Sequence, residues 1–153
     1  MIQRIQTIYL LAAVVVGIVC LCLQIGTVSV EGLVVAREYN LWVVSANDGM
    51  THCGVWPLFA VLTLASAVGV YAIFMFHNRV LQARFCVFCS LLIVGWYVIY
   101  VVFGQLIADS SKGEHFVPSL TAALPFVAFV FYLLARRAIL ADERLVRAAD
   151  RIR

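Results

Sequence analysis

Apolar residues gather along this chain into four runs that contain no Asp, Glu, Lys, Arg or His: Ile8 to Ile25, Val55 to Phe76, Phe85 to Ile107 and Val117 to Leu134. At about 1.5 Å of rise per residue, helices of these lengths reach about 27 to 35 Å, enough to cross a hydrocarbon core of about 30 Å. The pattern predicts an all-α membrane protein, a four-transmembrane-helix bundle with spans at 8–25, 55–76, 85–107 and 117–134. Arg4 ahead of the first run also fits a cleavable secretory signal. No small-x-small pattern follows Ile25 at a convincing spacing, however, and Val19 before Cys20 is too large for a lipoprotein cleavage site, so the run is read as a retained span.

The connectors are unequal. Gly26 to Gly54 is the one segment between spans large enough to have structure of its own. Val28, Val30, Val34 and Leu41 to Val44 have strand-like side chains, and Glu31-Gly32 stands where a two-residue turn would join two strands, which predicts a small outer-loop hairpin. Asn47-Asp48-Gly49 is a second turn signal. A lone hairpin is marginal in water, so it must lean on the bundle, with Trp42 and Trp56 as interfacial anchors. The opposite loop, Ala108 to Phe116, is read as a turn. Pro57 and Pro118 fall in the first turns of spans two and four, where no N–H is required, whereas Pro125 is placed well inside span four and predicts a kink. Ala13 with Gly17, and Ala65 with Gly69, put small residues four apart, a pattern suited to close helix approach within the bundle or between two copies of the chain.

Composition agrees with the pattern, since 65% hydrophobic residues cannot be covered by the polar surface of a 153-residue soluble domain. The formal charge of +3 is modest, but its distribution is not even. Arg4, Arg79, Arg84, Arg136, Arg137, Arg144, Arg147, Arg151 and Arg153 fall on one side of the predicted membrane, and only Arg37 and Lys112 on the other. Cytoplasmic segments hold the excess of Lys and Arg, so both termini are expected in the cytoplasm of a bacterial inner membrane. Residues 136–153 follow the 1–135 membrane domain as a basic cytoplasmic C-terminal helix, in which Ala138, Ala141, Leu145, Ala149 and Ile152 trace a narrow apolar stripe. Arg136, Arg137, Arg144, Arg147 and Arg151 are its expected contacts with lipid head groups or a protein partner. Nothing in this charge distribution points to nucleic acid.

Cysteine carries the one chemical suggestion. Cys86 and Cys89 form a CVFC motif beside Arg84, and thiols at that spacing next to positive charge are a redox signature when exposed. On the predicted topology they face the cytoplasm, where disulfides are rare, and cysteine is also an ordinary small apolar helix residue. With His77 the pair still leaves a tetrahedral zinc site one ligand short, so no metal and no cofactor is expected. Cys53 is a distant disulfide partner for Cys20 or Cys22, and the adjacent His52 is read as an interfacial polar residue. The apolar runs also lack the ionisable groups that mark proton or ion pathways. A non-enzymatic interaction or assembly role is therefore expected ahead of its alternative, a thiol–disulfide or quinone-linked oxidoreductase working through Cys86 and Cys89.

The opening MIQRIQTIYLL, the segment LQARFCVFCSLLIVGWY and the closing ALPFVAFVFYLLARRAILADERLVRAADRIR resemble the family of small four-span membrane proteins of Bacteroidota known as domain of unknown function DUF4293. The resemblance implies an inner-membrane protein with inward termini and supplies no activity, ligand or catalytic residue. It also implies a polar residue where Cys89 stands, which weakens the redox alternative.

Overall fold

The computed structural model describes residues 3–46, 49–52, 54–75, 78–107 and 114–150. Helix α1 (Gln3–Cys22) leads into strands β1 (Gln24–Val30), β2 (Leu33–Tyr39), β3 (Val43–Ser45) and β4 (Thr51–His52). Helices α2 (Trp56–Phe74) and α3 (Arg79–Ile107) follow, then strand β5 (Glu114–Pro118), a 3-10 turn (Leu120–Ala123) and helix α4 (Leu124–Asp150). Each helix packs on its sequence neighbours, and α1 closes the ring against α4. All four are long and apolar enough to cross a membrane.

The all-α expectation is overturned. One end of the bundle carries a five-stranded antiparallel sheet in the order β4-β3-β2-β1-β5. The predicted hairpin is present at its centre. Val30 pairs with Leu33 across Glu31 and Gly32, whose φ angles of 50° and 85° match the two positive values that a type I′ turn requires. The second turn signal precedes β4, although Asn47 and Asp48 lie outside the described residues; Gly49 has φ 61° and donates its N–H to the Ser45 carbonyl at 3.1 Å.

The loop read as a turn instead supplies β5, paired with β1 from Gly26↔Pro118 to Val30↔Glu114. Its partner lies roughly ninety residues away, so no local pattern announces it. Pro118 consequently ends an edge strand, where a missing N–H is tolerated, and does not open span four. Pro125 is likewise corrected: it is the second residue of α4, in the first turn, where it needs no kink.

Two apolar clusters fill the ring. Leu10, Cys86, Cys89, Ile93, Tyr132 and Ile139 are among the buried side chains away from the sheet, and Ile25, Val55, Leu58, Trp96 and Tyr100 among those beneath it. The small-residue pairs lie at helix contacts. A Cβ on Gly17 would come 3.0 Å from Ser66 Oγ, and one on Gly69 2.8 Å from Val14 Cγ2 and against the Tyr132 hydroxyl.

Away from the sheet, α4 continues through the predicted tail as one helix. Its buried face runs on through Ala135, Ile139 and Asp142, while Ala141 and Leu145 of the predicted stripe are exposed and Ala138 is half-buried. The Ala149 side chain and Ile152, which complete the predicted stripe, lie outside the described residues. Arg79 holds Asp142 at 2.7 Å, and Gln6 Nε2 donates to the Ala138 carbonyl at 3.1 Å, fastening this stretch to α3 and α1.

Candidate functional site

The polar groups beneath the sheet form the one built constellation among the described residues, and Asn40 is its centre. Just beyond β2, its side-chain amide donates to the Cys20 carbonyl at 2.8 Å, joining the Leu23 N–H at 3.3 Å on an acceptor of the last turn of α1. Its Oδ1 accepts Trp96 Nε1 of α3 at 3.1 Å, and its backbone carbonyl accepts the Phe59 N–H from the start of α2 at 3.1 Å. One residue thus closes donors or acceptors on three helices. Beside it, Trp96 stacks on Tyr100 with centroids 5.1 Å apart and planes 9° apart, and Tyr100 meets Phe116 of β5 edge-on at 5.5 Å. The Tyr100 hydroxyl donates to the Ile25 carbonyl at 2.7 Å, and Thr121 Oγ1 donates to the Gln24 carbonyl.

Tyr97 joins α3 to the start of α4. Its hydroxyl donates to the Ala122 carbonyl at 2.7 Å and accepts the Phe126 N–H at 3.1 Å, engaging one of the donors that the first turn of α4 leaves open. An open cleft of about 690 Å³ runs past this junction, lined by Tyr97, Tyr100, Pro118, Leu120, Ala122 and Phe126 among others. Both tyrosine hydroxyls in it are already engaged.

Glu38 stands apart. It is 0% exposed on β2, opposite Gly26, and neither carboxylate oxygen has a hydrogen-bond partner. A Cβ on Gly26 would sit 2.9 Å from Glu38 Oε2 and 2.6 Å from the Phe116 ring, so Gly26 leaves the space into which both side chains fit. Burial without a counter-charge pushes the Glu38 carboxyl up from 4.5 to about 7. The sequence reading passed over Glu38 and Asn40. Parity with Val34 would not have found Glu38, because the pairing of β1 with β2 shifts register between Ala36 and Val34 and leaves Val34 46% exposed.

The residues singled out from the sequence are not brought together here. Cys86 and Cys89 lie on one buried face of α3, at 1% and 0% exposure, and the Cys89 thiol is 3.5 Å from the Ala65 carbonyl. Both are free thiols, as are Cys20, which is buried, and Cys22, which is exposed. Cys53 and His77 lie outside the described residues. Among the described residues no group of three His, Cys, Asp or Glu side chains is placed to hold a metal ion. Arg136, Arg137 and Arg144 are exposed on α4 at the end away from the sheet; the Arg147 side chain and Arg151 lie outside the described residues.

No curated protein matches the chain. A family model does, over residues 2–152, and with nearly its whole length matched the chain belongs to the family described as domain of unknown function DUF4293.

Proposed function

We propose that the protein is a multi-pass inner-membrane protein with both termini in the cytoplasm, acting as a non-enzymatic interaction or assembly component through the basic end of α4. The observation that carries this reading is the exposed set Arg136, Arg137 and Arg144 on a helix that runs unbroken out of its apolar stretch. At about 1.5 Å per residue α4 is roughly 40 Å long, more than a hydrocarbon core of about 30 Å needs, which leaves a charged helix to meet anionic head groups or an acidic partner. The sheet occupies the opposite end and would face the outer compartment, in keeping with the sparse Lys and Arg of the connectors that form it. The oxidoreductase alternative has less support. Thiol exchange needs an accessible thiolate, and the Cys86 and Cys89 side chains are packed inside the helix ring.

Replacing Arg136, Arg137 and Arg144 together by Glu and recovering the tagged protein from native membranes in mild detergent tests the reading. A stoichiometric companion present with the native chain and lost from the variant is the expected result. An identical set of co-purifying proteins, with the variant still inserted, defeats it. Recovery of bound quinone together with a Cys86–Cys89 disulfide would favour the alternative.

A further inference from the structure

The polar side chains of the neighbouring constellation are committed elsewhere, and neither Glu38 oxygen has a hydrogen-bond partner. The Asn40 amide serves Cys20 and Trp96, and the Tyr100 hydroxyl serves Ile25. Among the described residues no cation answers the carboxylate. Strand alternation turns Arg37 to the opposite face of β2, and the described arginines Arg79, Arg84, Arg136, Arg137 and Arg144 belong to the far end of the bundle. A buried carboxylate with neither hydrogen bonds nor a counter-ion is too costly to keep ionised, so the group takes up a proton.

Phe116 packs beside it, its ring lying against the same vacant Cβ position on Gly26 as Glu38 Oε2. Phe116 belongs to β5, an edge strand whose one strand partner in the sheet is β1. We infer that Glu38 carries a proton while the sheet is docked, and that loss of this proton to water accompanies release of the β5 edge from the bundle. The docked form holds an O–H; in the open form that proton passes to bulk water and the carboxylate is hydrated. Because the proton is bound more tightly in the docked form, docking is complete below the ordinary carboxylate range. It weakens as pH rises from about 4.5 to about 7 and levels off above that. Across this window the opening equilibrium rises by about two orders of magnitude.

Other titratable groups border the site. Tyr97 and Tyr100 of α3 and Cys20 of α1 are on the bundle side, and both residue types are ordinarily neutral at pH 7. β1 contributes none. On β5, His115 is exposed and alternates to the opposite face from Phe116, and His115→Gln serves as its control. The inference holds whichever side of the membrane the sheet occupies.

The full chain in phosphatidylcholine nanodiscs, followed by hydrogen exchange of the β5 amides between about pH 5 and about pH 8 and corrected for intrinsic rates, provides the test. Protection of β5 is expected to fall with rising pH in the native chain and in His115→Gln, and to become independent of pH in Glu38→Gln. A pH dependence that survives in Glu38→Gln, disappears in His115→Gln, or is absent from the native chain overturns the inference. Infrared spectra of the native chain need no variant. A carboxylic C=O band of a group without hydrogen bonds should persist above about pH 5 and vanish above neutrality, and its absence is equally decisive.

Discussion

A glycine in a helix is judged by what its missing Cβ would meet. At Gly69 that atom would press on Val14 Cγ2 at 2.8 Å and on the Tyr132 hydroxyl, so α2 approaches α1 and α4 only because the side chain is absent. Gly95 of α3 has open space around its Cβ direction. Gly69→Ala is therefore expected to destabilise the protein by about 1–3 kcal/mol through overpacking. Gly95→Ala should be neutral, or stabilising by up to about 1 kcal/mol through helix propensity. Thermal unfolding of both variants in one detergent measures the contrast, and equal shifts would refute the packing account. The small-residue spacing made Gly69 legible as a contact position. Glu38 was not read from the sequence because an acidic residue in a loop is ordinarily solvated, and the strand parity that buries it becomes informative only once the inward face of the hairpin is known.

Among the elements, the hairpin was legible because its turn, its pairing and its alternation lie within some fifteen residues of one another. Glu31 occupies a turn position at φ 50°, where Asn is better suited than Glu. Glu31→Asn is expected to stabilise the chain by about 0.5–1 kcal/mol, readable as a raised midpoint in thermal unfolding; a lowered midpoint would show that the turn is not of the type assigned. Strand β5 was illegible for the opposite reason. Its apolar Val117-Pro118 merges with the hydropathy of α4, and its pairing partner lies beyond two intervening helices. Hydropathy likewise began α3 at Phe85, whereas the helix starts at Arg79 and brings that arginine to Asp142. The charged turn at its start was invisible to a criterion that looked only for apolar residues.

For the molecule as a whole, the outward face is itself apolar. Leu91 at 63% exposure, Val98 at 61% and Ile8 at 60% point away from the bundle, and only about a third of each candidate span is buried within the chain. In water such a surface would be an association hazard; in lipid it needs no covering. Leu91→Arg, which on an aqueous surface would change stability by no more than about 0.5 kcal/mol, is then expected to cost about 2.5–3.5 kcal/mol of insertion. Leu145→Arg, at the basic end of α4, should leave insertion unchanged. Alkaline extraction of membranes separates the two variants, and equal retention of both would contradict a lipid-facing Leu91.

The ladder between β1 and β5 has a bearing on biogenesis. Its two halves are synthesised on either side of two helices; on the proposed membrane reading it can zip only after the third helix has been threaded and the segment beyond it delivered to the same side as β1. A nascent chain halted before Glu114 would present β1 with one row of backbone donors and acceptors unclaimed, a template for misassembly with a neighbouring chain. That ladder can close as soon as β5 has been made, while α4 is still to follow.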